Sequence, residues 1–130
     1  MKKERKLYLW DWSSCEEESA RFENLVASHL LKYCHLREDT GGEEMSLRFL
    51  RDANGREIDF VILKNGKPEF AVECKSGDRA LSKNIAYFAQ RTAIPKFYQT
   101  HLQAGGQDTE WLDARARIIP FVRLCELLKL

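Results

Sequence analysis

The segment Gly55–Ser76, GREIDFVILKNGKPEFAVECKS, constrains this chain more than any other. Asn65-Gly66 at its centre is a strong short-range hairpin signal, because both residues tolerate the positive φ that a two-residue type I′ turn requires. The flanking runs then read as two antiparallel strands. Alternation puts Glu57, Asp59, Val61 and Leu63 on one face of the first strand and Ile58, Phe60 and Ile62 on the other. In the second strand Ala71, Glu73 and Lys75 oppose Phe70, Val72 and Cys74. Two strands that are apolar on one side therefore carry an Asp, a Glu and a Lys on the other, near the middle of a sheet.

The rest of the chain is arranged around this pair. Met45 to Arg51 alternates like a strand, and Asp52-Ala53-Asn54-Gly55 turns into the hairpin, so three consecutive strands form an antiparallel meander. Upstream, Glu16 to about Arg37 reads as the main helix, with acids in its first turn, and Asp39 to Glu44 reads as a loop. Phe22, Leu25, Val26, His29, Leu30 and Tyr33 form the apolar stripe of this helix. Glu23 falls inside that stripe, where a buried carboxylate needs a partner, a proton or a metal. His29 on the same stripe reads as a core histidine, whereas His35 and His101 have no partner spacing.

Downstream, Ser82 is a candidate N-cap for a helix running to about Thr92, with Ile85, Ala86, Phe88, Ala89 and Ala93 as its inner face. Ile94 to Leu102 is extended, Gln103 to Asp108 is a loop, Arg117 to Pro120 is a last short strand, and Phe121 to Leu130 is a terminal helix. Lys6 to Trp12 reads as a short strand or arm, and Trp10, Trp12 and Trp111 read as packing residues.

At 130 residues and 44% hydrophobic content, the chain supports one domain with its own core. Its 21 basic and 20 acidic side chains leave a formal charge of +1, so any polyanion site must be a local patch. Cys15, Cys34, Cys74 and Cys125 form no C-x-x-C pair, which argues for free thiols in a reducing cytoplasm over a zinc or redox motif. Neither an export signal nor a long apolar run is visible, so no membrane span is expected.

Glu23, Asp59, Glu73 and Lys75 together suit a hard divalent cation. Mg²⁺ prefers oxygen ligands and keeps waters that phosphate oxygens can replace. Bound to carboxylates, it polarises a phosphodiester and acidifies a water, while the ammonium of Lys75, sharing the strand face of Glu73, positions the attacking water or stabilises a pentavalent phosphate. Singly, each acid has a plain explanation: Asp59 pairs with Arg56 or Arg48, Glu73 with Lys75, and Glu57 is solvated or salt-bridged. The four in order on these elements carry the inference.

The order resembles the PD-(D/E)XK nuclease superfamily, with an acid on a first helix, an acid on the second strand of a meander and E-x-K on the third. Glu23, Asp59 within REIDF, and Glu73-Cys74-Lys75 are the matching residues; Ile58 stands where the family often has Pro. Gln90, on the following helix, resembles the polar residue that many members place near the same site. More closely, KLYLWDW, ARFENLVASHLL and the hairpin look like the nuclease-like C-terminal domain of unknown function that follows the P-loop domain in a family of prokaryotic AAA-type ATPases. This chain departs from those proteins in lacking G-x-x-x-x-G-K-[ST].

The resemblance implies a single three-layer α/β domain of the restriction-endonuclease type, a mixed central sheet with helices on both faces. It implies Mg²⁺-dependent hydrolysis of DNA, with Mn²⁺ as a substitute. Glu23, Asp59 and Glu73 would be the metal ligands, Lys75 the catalytic cation and Gln90 an accessory group. Arg79, Lys83, Arg91 and Lys96 are a solvated surface by default, and backbone phosphate contacts if the site is a nuclease. A second copy would give a duplex cutter two sites. The alternative is a nuclease-fold binding or assembly module that does not cut and serves an AAA-type ATPase.

Overall fold

The computed structural model describes residues 2–4, 18–77, 80–103 and 108–130. Its elements are β1 (Lys2–Glu4), α1 (Glu18–Gly41), β2 (Met45–Arg51), β3 (Glu57–Lys64), β4 (Lys67–Cys74), α2 (Lys83–Arg91), β5 (Phe97–His101), β6 (Thr109–Trp111), β7 (Ala116–Pro120) and α3 (Phe121–Leu127). The strands of the described residues form one seven-stranded sheet in the order β1-β2-β3-β4-β5-β7-β6. β1 to β4 pair antiparallel, β4, β5 and β7 run parallel, and β6 returns antiparallel on the edge.

The expected hairpin is present. Asn65 and Gly66 have φ of 52° and 81°, the two positive values that a type I′ turn needs. The Asn65 side chain then accepts a hydrogen bond from the Glu44 backbone N–H at 2.9 Å, tying the hairpin tip to the start of β2.

Helices cover both faces, so the α/β architecture is three-layered. Phe22, Val26, Ala27 and Leu30 of α1 and Phe121 and Leu124 of α3 pack with Leu47, Phe60, Ile62, Phe70 and Val72 on one face. Ile85, Phe88 and Ala89 of α2 pack with Leu50, Ile58, Val61, Leu63, Ala71 and Phe97 on the other. The hydrophobic effect alone dictates this sandwich, because a central sheet exposes two apolar faces and each must be covered.

Strict alternation fails in β3. Arg48 opposes Val61 but Leu50 opposes Ile58, so Phe49 alone faces both Asp59 and Phe60. This bulge turns Ile58 to the α2 face with Val61, while Phe60 and Ile62 face α1. Extra residues of this kind re-aim a side chain at a chosen point, and here the re-aimed residue is Ile58, next to Asp59.

α1 is longer than the loop expected at Asp39–Glu44 allows. It continues to Gly41 and closes at Gly42, whose φ of 65° is left-handed and whose N–H donates to the Glu38 carbonyl. The guanidinium of Arg37 bridges the Tyr33 hydroxyl and Glu43, holding this last turn together. α3 stops at Leu127 because Lys129 is left-handed, with φ 60°. Ala93 is exposed beyond the end of α2, and Trp111, expected to pack, is 40% exposed on the edge strand. His29 is half-buried, with Nδ1 2.9 Å from the Leu25 carbonyl and its ring edge-on to Phe121. Cys34, Cys74 and Cys125 are free thiols. Lys6–Trp12 and Cys15 lie outside the described residues.

Candidate active site

β4 meets β3 antiparallel on one side and β5 parallel on the other, with α2 as the crossover between β4 and β5. Asp59 and Glu73 come together across the first of these pairings. The Asp59 backbone N–H donates to Glu73 Oε1 at 3.2 Å, and the Cys74 backbone N–H donates to Asp59 Oδ2 at 2.8 Å. Each carboxylate is thus held by the other strand's backbone, which fixes both positions without help from a long flexible side chain.

A second pair of polar residues encloses Glu73 from the α2 side. Ser82 caps α2, its Oγ accepting from the Asn84 N–H, and the same hydroxyl lies 3.4 Å from Glu73 Oε2. Gln99 sits beside Glu73 in the parallel register and is buried. Its Oε1 accepts from the Ser82 N–H at 2.7 Å and its Nε2 donates to the Ala80 carbonyl at 3.3 Å. Gln99 therefore holds the turn that presents Ser82 to the acid.

Glu73 is 5% exposed. Burial, then the neighbouring charge of Asp59 and a hydrogen bond with it, push the Glu73 carboxyl up to about 9, with Lys75 opposing. A carboxyl so placed holds a proton at neutral pH.

Beside the pair opens a cavity of about 410 Å³, lined by Ser19, Phe22 and Glu23 of α1, by Cys74, Lys75 and Ser76 at the end of β4, and by Leu102. Cys74 joins the two places, since its side chain lines the cavity and its N–H holds Asp59. Glu73 bonds toward α2 while Glu23 projects from α1, so these two acids reach the end of β4 from opposite layers. Among the described residues no three His, Cys, Asp or Glu side chains gather into a group that could hold a metal. The structure thus brings Asp59 to Glu73 and Glu23 to Lys75. Lys75 is exposed just past the end of β4, where its backbone N–H still pairs with β5 by donating to the Thr100 carbonyl at 3.0 Å and its charge acts on Glu73.

A family model matches residues 18–124, and its description is domain of unknown function (DUF4143). The chain belongs to the DUF4143 family. No curated protein and no solved structure matches it.

The remaining residues named from sequence are dispersed over this DUF4143 domain. Lys83 and Arg91 are exposed at the two ends of α2. Lys96 precedes β5, where its carbonyl accepts from the Ala71 N–H, at the far end of the strands from Glu73. Gln90 is exposed and lines a shallow cavity with Leu112, Asp113 and Arg115; the polar neighbours of Glu73 are Ser82 and Gln99 instead. Arg79 lies outside the described residues. Arg56 ion-pairs with Asp52 at 3.6 Å and Glu57 with Arg51 at 3.2 Å, so the plain pairing of Asp59 with Arg56 is not the one adopted.

Sequence reasoning took Ser82 only as a cap and passed over Gln99. A polar residue at the midpoint of the run Phe97-Tyr98-Gln99-Thr100-His101 was the available signal, since a buried amide must be hydrogen-bonded.

No helix of the described residues is long and apolar enough to cross a membrane.

Proposed function

We propose that this DUF4143 domain is a Mg²⁺-dependent phosphodiesterase acting on DNA, with a fold of the restriction-endonuclease type. The observation that carries the reading is the Asp59–Glu73 pair at the end of β4, beside a cavity that holds Lys75. Two carboxyl groups compressed together in a buried place are stable with a shared proton or with a cation. Mg²⁺ commonly takes one or two protein carboxylates and keeps waters in its other positions, so the pair fits it; Mn²⁺ accepts the same oxygen donors. Asp59 and Glu73 would hold the ion, and Glu23 supplies acidity to the neighbouring cavity.

When bound, such an ion supplies Lewis-acid polarisation of a phosphodiester and a more acidic water. Glu73 would serve as a ligand in its ionised form, with the Ser82 hydroxyl placed to donate to its Oε2 at 3.4 Å. Lys75, at the cavity wall, offers an ammonium to the non-bridging phosphate oxygens, where charge builds up during attack.

The test is a nicking assay on plasmid, single-stranded and branched DNA with Mg²⁺ or Mn²⁺. Cleavage is expected in metal alone, with Asp59→Asn and Lys75→Ala each losing about 10²-fold or more. Cleavage at the wild-type rate in both variants refutes the assignment.

One observation favours a second reading: Glu23 stands apart from the Asp59–Glu73 pair, so three acids do not converge. On that reading the domain is a binding or assembly module that does not cut and partners an AAA-type ATPase. Calorimetric titration separates the two, because absence of Mg²⁺ and Mn²⁺ binding in the millimolar range leaves only the module.

A further inference from the structure

The outer face of α2 carries Lys83, Tyr87 and Arg91 at successive four-residue steps, which an α-helix stacks into one line. Tyr87 organises the line. The Arg91 guanidinium carbon lies 3.8 Å from the Tyr87 ring centroid, and that of Arg56, reaching over from the turn before β3, lies 4.3 Å from the same centroid. Arg91 also donates to the Tyr87 carbonyl at 3.1 Å. Two guanidinium groups that would otherwise sample many rotamers are thereby held against one aromatic ring, an arrangement that stabilises cations electrostatically.

The charge of the strip is largely unspent. Arg56 is 44% exposed and ion-pairs with Asp52, itself held by the backbone N–H groups of Asn54 and Arg56. Lys83 and Arg91 are exposed and pair with no carboxylate among the described residues. One acid against three cations leaves a local excess of positive charge on a chain whose net formal charge is +1.

The strip also has a fixed position relative to the acids. α2 begins at Ser82, whose hydroxyl reaches Glu73, so Lys83 stands next to the pair and Arg91 lies two helical turns away. At 1.5 Å per residue, Lys83 and Arg91 are about 12 Å apart along the axis. Phosphates of one nucleic-acid strand recur about every 3.4 Å along the helix axis, so that span covers about three to four of them.

We infer that the Lys83–Tyr87–Arg91 face of α2, with Arg56, is a phosphate-backbone track that seats a DNA strand on one side of the Asp59–Glu73 pair. The inference rests on the phosphodiesterase reading for its choice of ligand, and it names what that reading leaves open, the surface along which the substrate lies. The track contacts phosphates and reads no base, so its binding is insensitive to sequence and sensitive to salt.

The experiment is fluorescence anisotropy with a labelled 20-nucleotide DNA, single-stranded and as a duplex, in EDTA so that no strand is cut. Three cations predict a log–log salt slope of about −2 to −3 for the wild type. The Arg56→Ala/Arg91→Ala double variant should weaken binding at least tenfold at low salt and flatten the slope by about one to two. Tyr87→Leu, which keeps every charge, should weaken binding several-fold, while Tyr87→Phe restores it because the ring remains. Arg123→Ala, which removes an exposed cation on α3 in the other layer, should change nothing.

Unchanged affinity and slope in the double variant overturn the track, as does displacement of the DNA by poly-glutamate at equal charge, which marks a general acidic-partner surface. Absence of any wild-type binding at low salt overturns track and phosphodiesterase together. Track-dependent binding without metal-dependent cleavage leaves the track standing and removes the phosphodiesterase.

Discussion

Replacing Glu73 by Gln tests the electrostatics of the site directly. Gln has the size of Glu, can accept from the Asp59 N–H as Oε1 does now, and can donate its amide N–H to the Asp59 carboxylate in place of the Glu73 carboxyl hydrogen bond. What it cannot do is ionise. Glu73 has a carboxyl at about 9 in the fold and at about 4.3 in an unfolded chain. Because the folded value is the raised one, its contribution to stability is fully present below about 4.3, declines as pH rises, and is gone above about 9.

At 1.36 kcal/mol per pH unit, the ceiling on that loss is ~6 kcal/mol over the whole window and ~4 kcal/mol by pH 7.5. Relaxation of the site and entry of water lower the realised value, and half the ceiling is still a large share of a domain's 5–15 kcal/mol, roughly speaking. Urea unfolding of wild type and Glu73→Gln in EDTA, from pH 5 to pH 9, reads it. The two should lie within about 1 kcal/mol of each other near pH 5, and by pH 7.5 the balance should have moved toward the variant by about 2 kcal/mol or more. A slope of about 1–3 kcal/mol per molar urea makes that a midpoint shift of order 1 M. Millimolar Mg²⁺ should raise the wild-type midpoint above pH 7 and move the variant less, since an ion would have both carboxylates in one and only Asp59 in the other. Stability curves that run parallel across this range would refute the assignment of a buried, proton-holding Glu73.

Arg115 donates to three carbonyls at the end of α2, from Nε to Ile94 at 2.8 Å, from Nη1 to Ala89 at 2.5 Å and from Nη2 to Thr92 at 2.9 Å. Arg115→Lys keeps the charge but not the fork, and thermal unfolding should show a loss of about 2 kcal/mol or more, given that each bond to a charged group contributes about 1.5–3 kcal/mol. Gly66→Ala should cost about 1–2 kcal/mol by chemical denaturation, because φ is 81° there, and a Cβ meets nothing within 4 Å, so the penalty is wholly conformational.

Much of this was legible because the signals were local. Asn65-Gly66 reports its own backbone angles, and period-two alternation reports strands whichever sheet they join. The acids were legible by order, since Asp59 and Glu73 flank a turn whose geometry forces their strands side by side. The bulge was not. Alternation carries no mark of the place where Phe49 must face two residues, so Ile58 was assigned to the wrong layer. Gly41-Gly42 reads as a loop, yet only Gly42 takes the left-handed conformation; Gly41 stays helical. The tertiary grip of Arg37 on Tyr33 and Glu43 outweighs a helix-propensity cost of about 1 kcal/mol. Gln99 was hidden because its partners, Ser82 and Ala80, lie across a crossover whose register no local pattern encodes.

The location of the site follows from the same topology that hid Gln99. Along β2 to β4 each strand returns through a short turn, which closes over the strand ends. Between β4 and β5 the strands are parallel, so the chain must leave the end of β4, travel back along α2 and re-enter at the start of β5. The ends of β4 and β5 are consequently left open between the layers, the place where open α/β sheets hold ligands. Glu73, Lys75 and Leu102 stand at that opening, and Asp59 is brought to it because β3 runs antiparallel and begins where β4 finishes. Ser82 belongs to the crossover itself, and Gln99 to the strand that the crossover feeds. A polar group there serves two ends at once, holding the turn into α2 and the acid that the turn exposes, which is why a residue in the middle of an apolar strand is polar.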